Sequence, residues 1–213
     1  MIGLPLPEAD GGGRYPGFST LAQARHWDPV TAAAVQARMG LPPNDRFFSP
    51  AEEAAARALF DQLLDQQSEP RVPVVNMVDA RLAEEETDGW HYDNMPRDGD
   101  AWRASLAALD SEARSREDRI FALLSQDGQA GLLHDICALD RDLWHGLPAD
   151  RVWSLWMRYA CTAFYSHPLA WDEIGFAGPA YPRGYKNLGV ERLEPFEVRD
   201  VRPGADPTHG ADR

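Results

Sequence analysis

The feature that most constrains the fold is a series of apolar residues at helical spacing that runs through the middle of the chain, from residue 49 to residue 165. The series opens on Ser49-Pro50-Ala51-Glu52, in which a capping serine, a proline at the first helical position and a glutamate three residues after the serine mark a helix N-terminus. Apolar residues at this spacing form a stripe along one side of a helix, and the stripe is the face that the helix buries. The stripes consist of Ala55, Leu59, Phe60, Leu63 and Leu64; Trp102, Leu106 and Leu109; Ile120, Phe121 and Leu124; Leu132, Leu133, Ile136 and Cys137; and Val152, Leu155, Trp156, Tyr159 and Ala163. The sequence therefore predicts an all-α protein built around an irregular helical domain.

Two further helices are predicted outside these stripes. Asp28 is a suitable N-cap, Pro29 suits the first helical position, and Gly40 ends the short helix that follows. The run from Val72 to Glu86 contains valines that favour a strand, yet its apolar residues recur at helical spacing. We expect a helix there.

The composition divides the chain into four segments. Residues 1–46 are predicted to form an extended N-terminal arm with one short helix, and residues 47–166 the helical core domain. Residues 167–202 form an aromatic, Gly/Pro-rich wrapping segment, and residues 203–213 a polar tail that is predicted to be disordered. The first 25 residues of the arm carry no periodic apolar pattern, so they must be held by another surface or stay mobile. Its candidate anchors are Tyr15 and Phe18.

The segment 167–202 is both irregular and aromatic. Gly and Pro interrupt it every few residues, and Trp171, Phe176 and Tyr181 are interleaved with them. Aromatic side chains in an irregular segment cannot be buried within a helix or sheet of that segment, so they must lie on a preformed surface. This surface can belong to the same chain, as an internal clamp over the helices, or to a partner.

The charge of the chain argues against nucleic acid as a partner. There are 21 Lys and Arg residues against 34 Asp and Glu residues, a net charge of −13, and no basic patch interrupts the acidic balance. The most acidic stretch, residues 84–100, contains Trp90-His91-Tyr92. It is predicted to be a loop with aromatic anchors whose acidic side chains face water, the alternative being a basic partner surface.

No apolar run is long enough to span a bilayer, and the N-terminus shows no export signal, so we expect no membrane span and a cytoplasmic location. The alternative is a periplasmic location reached with a partner that carries the signal. The two cysteines, Cys137 and Cys161, lie within apolar helical patterns and are predicted to be buried free thiols, although the sequence also allows one disulfide.

Few residues of the sequence are candidates for metal binding or catalysis. His134, Asp135, Asp140, Asp142 and His145 suggest a metal site, but only Asp142 and His145 have a suitable spacing, so no metal is expected. His91 and His167 each lie beside aromatic residues, as a general base in a cleft would, but no nucleophile or phosphate-binding motif accompanies them. No catalytic residue is therefore assigned.

The C-terminal half resembles the gluconate 2-dehydrogenase subunit 3 family. The residues that carry the resemblance are Tyr165-Ser166-His167-Pro168, the stretch from Ala170 to Ala180 with its Trp-x-x-Ile-Gly-Phe-x-Gly-Pro motif, and Tyr181 to Tyr185. Upstream stretches resemble the family in the same order, namely Phe48 to Glu52, Val75 to Leu82, Trp102 to Asp110 and Phe121 to Leu124.

The resemblance implies a non-catalytic small subunit of a flavin-dependent sugar, glycoside or polyol dehydrogenase. Such a subunit binds and stabilises a larger catalytic flavoprotein of the glucose-methanol-choline (GMC) type, which holds FAD, and an electron-accepting cytochrome can join the complex. This chain is then expected to bind no cofactor itself. The residues expected to bind the partner are Trp171, Ile174, Gly175, Phe176, Gly178, Pro179, Tyr181 and Arg183.

Two other functions stay open at this point. The chain can be a transient assembly chaperone that helps the flavoprotein load FAD and then leaves. Less favoured is an enzyme in its own right that uses His91, His167 or the Asp142 and His145 pair.

Overall fold

The computed structural model describes residues 15, 17–42, 46–67, 69, 71–189 and 192–199. This part of the chain contains seven α-helices, two short 3-10 helices and one pair of two-residue strands, which confirms the all-α fold. The helices are α1 (Pro29–Ala37), α2 (Pro50–Leu63), α3 (Val74–Ala83), α4 (Asp98–Glu117), α5 (Gln126–Ala138), α6 (Ala149–Phe164) and α7 (Pro168–Ile174); the 3-10 helices are Leu21–His26 and Phe121–Leu123; the strands are β1 (Leu143–Trp144) and β2 (Leu147–Pro148). The glycine run at residues 11–13 and the predicted tail at residues 203–213 lie outside the described residues.

The chain divides into two compact units. The first unit comprises the described parts of Met1–Gly40, Ser68–Val72 and Phe164–Arg213, and the second those of Leu41–Gln67 and Pro73–Ala163. The N-terminal and C-terminal residues thus belong to one unit. The division into four segments drawn from the sequence stays a prediction.

The predicted caps of α1 and α2 are confirmed. Asp28 accepts hydrogen bonds from the backbone amides of Val30 and Thr31 at 2.9 and 3.1 Å. At α2, the Ser49 hydroxyl accepts from the Glu52 amide at 3.4 Å, and the Glu52 carboxylate accepts from the Ser49 amide at 2.8 Å. These contacts satisfy backbone donors that the first turn of a helix leaves free.

The core of the second unit forms around Trp102 of α4. The Trp102 ring is fully buried, and its centroid lies 5.5 Å from that of Phe60, 6.1 Å from that of Phe48 and 5.7 Å from that of Tyr159. Helix α2 packs against α3, α4 and α5. Burial of large aromatic rings is the main stabilising contribution in a core of this kind.

A buried carboxylate orders the chain before α2. Asp79 of α3 is fully buried and accepts hydrogen bonds from the amides of Arg46, Phe47 and Phe48 at 2.6, 3.0 and 2.7 Å. Helix α3 itself confirms the helical interpretation of the valine-rich run.

Two expectations about helices were wrong. The stripe at residues 120–124 forms only the 3-10 helix Phe121–Leu123, because Asp118 ends α4 and Ser125 already caps α5, which leaves too few residues for an α-helix. The segment after residue 167 is not wholly irregular, since α7 begins at Pro168. Proline interrupts a helix but is favoured at its first position, and Pro168 occupies that position.

The surroundings of two predicted features also differ from expectation. Asp142 lies directly before a hairpin and His145 in its turn: β1 and β2 are antiparallel, and the turn residues His145 and Gly146 both have positive φ, as a tight hairpin turn requires. Both thiols are free, as predicted, but neither is fully buried: Cys137 is exposed and Cys161 half-buried.

Candidate partner-binding surface

The site residues predicted from the sequence all lie in the first unit, on α7 and the loop that follows it. The imidazole of His167 caps α7: its Nδ1 accepts a hydrogen bond from the Leu169 amide at 3.2 Å. Burial lowers the pKa of His167, and the charge of Arg38 lowers it further, whereas Asp172 acts in the opposite direction. The lowered pKa favours the neutral ring, in which Nδ1 can accept this hydrogen bond.

Trp171 is buried within its own unit. It is 6% exposed and packs with Trp27 and Val35, and its indole N–H donates to the Tyr165 carbonyl at 2.6 Å. The Arg38 guanidinium lies 5.6 Å from the centre of the ring. Removing this side chain would leave a cavity in the unit, so the variant Trp171→Ala would lower stability as well as any binding.

The two glycines of the motif are covered by N-terminal aromatic rings. Gly175 has a φ of +66°, and a Cβ there would lie 2.6 Å from the ring of Tyr15. Gly178 has a φ of +77°, and a Cβ there would overlap the ring of Trp27. Tyr15 thus acts as an anchor, as the sequence predicted, and both glycines allow close approach within the chain.

Thr20 forms hydrogen bonds with both α7 and the loop after it. This residue is fully buried; its amide donates to the Asp172 carboxylate at 2.6 Å and its hydroxyl donates to the Phe176 carbonyl at 2.9 Å. Thr20 was not predicted as a site residue, because a threonine in an aperiodic segment gives no signal of a contact with a residue about 150 positions away.

Three of the predicted site residues expose apolar side chains. Ile174 is 49% exposed, Phe176 38% and Tyr181 73%. The Phe176 ring also meets the Trp171 ring edge to face, with centroids 5.1 Å apart. Other exposed apolar side chains follow in the same loop and had not been predicted as site residues: Tyr185, Leu188 and Leu193.

The remaining predicted residues have mainly internal contacts. The Arg183 guanidinium lies 3.4 Å from the centre of the Phe196 ring and donates to the Ala177 carbonyl at 3.1 Å. Pro179 is half-buried, next to the buried Gly178. The eight predicted residues therefore fall into two groups, one packed within the unit and one presented to solvent.

Of the residues weighed for catalysis, His91, Asp142 and His145 lie in the second unit and His167 in the first. His91 is exposed on the loop before α4, and His145 has its Nε2 3.0 Å from the Glu112 carboxylate, a hydrogen bond that lowers the pKa of Glu112. Within the described ranges, no group of three or more His, Cys, Asp or Glu side chains is placed to hold a metal ion.

The acidic loop is bound to helices by arginines. Asp88 pairs with Arg81 of α3 and with Arg158 of α6, and Asp98 accepts from Arg158 at 3.2 Å and from the Tyr159 hydroxyl at 2.7 Å. The Arg158 guanidinium also lies 4.9 Å from the centre of the Trp90 ring. Trp90 thus contacts α6 although it is 48% exposed, and the acidic residues of the loop do not all face water. No helix among the described residues is long and apolar enough to cross a bilayer.

The fold and the surface define a helical protein that holds a short aromatic motif with its own N-terminal residues and exposes part of that motif. A family model described as gluconate 2-dehydrogenase subunit 3 matches residues 50–178, more than half of the chain and the whole of the motif up to its second glycine. The chain belongs to this family. No curated protein and no solved structure matches it.

Proposed function

We propose that this chain is the non-catalytic accessory subunit of a flavin-dependent sugar, glycoside or polyol dehydrogenase, and that it binds and stabilises a GMC-type catalytic subunit. The observation that carries the proposal is the family match over residues 50–178, because the family is described as a dehydrogenase subunit. FAD belongs to the partner in this proposal, and this chain holds no cofactor.

The exposed apolar side chains of the first unit support a docking role. Ile174 and Phe176 flank Gly175 at the end of α7, and Tyr181 follows in the loop. Burying one such side chain as an anchor at an interface contributes about 2 kcal/mol or more. The docking surface of the proposal therefore consists of Ile174, Phe176 and Tyr181, while Trp171, Gly175 and Gly178 shape it from within.

The experiment that tests the proposal expresses the chain with and without the flavoprotein encoded beside it, followed by size exclusion. We expect flavin absorbance and dye-linked sugar oxidation in a peak that contains both chains. Phe176→Ser should reduce the amount of this chain in that peak, whereas Leu123→Ser, which changes a 65% exposed leucine of the second unit, should not.

Other outcomes identify other functions. Improved yield of active flavoprotein without this chain in the peak would indicate a transient assembly chaperone. Sugar oxidation by the isolated chain would contradict the proposal. The cytoplasmic or periplasmic location and the cytochrome partner stay predictions, which cell fractionation and cytochrome reduction by the complex would test.

A further inference from the structure

We infer that the N-terminal segment, defined as Tyr15 with residues 17–27, holds the α7 motif in the conformation that binds the partner, and that Thr20 is its main positioning residue. The inference rests on the proposed function, because it assigns this segment a role in binding by the same surface. It concerns residues that lie before the family match, which begins at residue 50.

The hydrogen bonds of Thr20 restrain the two parts of the motif relative to each other. Asp172, which accepts from the Thr20 amide, lies in α7, and the Phe176 carbonyl, which accepts from the Thr20 hydroxyl, lies beyond the helix end. Thr20 itself is fully buried, and the two bonds are partly shielded from water. A partly buried carbonyl that lost its donor would lose the stabilising contribution of that hydrogen bond.

Ring contacts restrain the same stretch at two further points. Tyr15 covers Gly175 and Trp27 covers Gly178, so the residues on either side of Phe176 and Ala177 are both held by the N-terminal segment. Trp27 in turn packs with Trp171 and Val35. The exposed Phe176 side chain therefore extends from a backbone that is restrained before it, after it and at its own carbonyl.

This restraint has a direct consequence for binding. A loop that samples many conformations must be ordered when a partner binds, and the apparent affinity falls in proportion to the fraction of molecules in the competent conformation. Contacts that hold the loop in place before binding remove that cost. The N-terminal segment thus contributes to affinity without itself needing to touch the partner.

The test compares Thr20→Val, which keeps the shape of the side chain but removes the hydroxyl donor, with Thr20→Ser, which keeps the donor. Hydrogen exchange of residues 171–178 and affinity for the purified flavoprotein are measured for each full-length variant. For Thr20→Val we expect exchange about fivefold faster and affinity about fivefold weaker, the usual size of the loss of one hydrogen bond. Thr20→Ser should restore most of both.

A matched control is the reverse substitution, valine to threonine, at an exposed position of the same unit. Val30→Thr changes a side chain that is 78% exposed at the start of α1, and neither measurement should change. If circular dichroism shows that Thr20→Val does not fold, Tyr15→Ala, which removes the ring over Gly175, is measured instead against the same two criteria.

The outcomes separate this inference from the proposed function. A wild-type chain that does not bind the flavoprotein would contradict the proposed function, and with it the positioning role. A wild-type chain that binds while the variant binds equally well, with or without faster exchange, would overturn the inference alone. Weaker binding together with faster exchange, both restored by serine, would support it.

Discussion

The ring of Trp27 lies against the α-carbon of Gly178 so closely that there is no room for a side chain at this glycine. The two residues are about 150 positions apart in sequence and belong to the same compact unit. Gly178 also has a positive φ of 77°, so a substitution there meets both steric overlap and backbone strain.

Replacing Gly178 with alanine is therefore expected to destabilise the first unit by about 3 kcal/mol, from backbone strain of about 1 kcal/mol and overpacking of about 2 kcal/mol. Gly184 is the matched control, because its φ of +65° is similar and nothing lies within 4 Å of the Cβ position. Gly184→Ala should cost only about 1 kcal/mol. Hydrogen exchange of the α7 amides in increasing urea measures the loss of stability in both variants. Equal losses for the two variants would show that the Trp27 contact is not the cause.

The cap of α7 should make this helix sensitive to acid. Burial holds the pKa of His167 below its ordinary value of 6.5, so the folded protein binds this proton less readily than the unfolded chain. The contribution of the neutral ring is complete above about pH 6.5 and is lost as the pH falls from there through the lower pKa of the folded state. Protection of α7 amides from exchange, corrected for intrinsic rates, should therefore decrease between pH 7 and pH 5.

His167→Asn tests this assignment, because asparagine caps a helix but does not titrate in this range. In this variant, the protection of the α7 amides from hydrogen exchange should change less with pH than it does in the wild-type protein. His91→Asn, which removes an exposed histidine, should leave the wild-type dependence intact. An unchanged pH dependence in His167→Asn would assign the titration to another group.

The pairing of Asp88 with two arginines is expected to hold the loop before α4. Burial tends to raise the pKa of Asp88, but hydrogen bonds from Arg81 and Arg158 outweigh it, so the pKa lies below its ordinary value. Asp88→Asn should destabilise the second unit by about 1 kcal/mol, since both arginines lose a charged acceptor. Asp93→Asn, at an exposed position of the same loop, should change stability by less than about 0.5 kcal/mol. The urea midpoints of the two variants, compared with that of the wild-type protein, measure these changes in stability.

Lys186 offers a direct test of the docking surface, because it is the only lysine in the sequence and lies exposed in the loop after α7. An amine-reactive cross-linker added to the complex should join Lys186 to the flavoprotein, as peptide mapping would show. Lys186→Arg keeps the charge and should remove this cross-link while leaving the complex intact. Cross-links through the N-terminal amine alone would place the interface elsewhere.

Much of the fold could be predicted from the sequence because its signals are local. The caps at Asp28 and Ser49 and the stripe around Trp156 depend on residues within a few turns of each other, and each predicted helix of the core except that at residues 120–124 is present. The family, too, was identified from a contiguous motif, and the match over residues 50–178 confirms it. Helix α7 was missed although Pro168 and Gly175 bracket it, because both residues also break helices.

The sequence by itself thus determined the helical class, the family and the region of the chain where a binding surface was to be sought. Only the tertiary structure decided which members of the motif face inward. Trp171, Gly175 and Gly178 serve contacts with Tyr15, Trp27 and Val35, while Ile174, Phe176 and Tyr181 expose their side chains. The physical reason is that helix formation depends on neighbours in the sequence, whereas the burial of a particular ring depends on distant residues that folding brings against it.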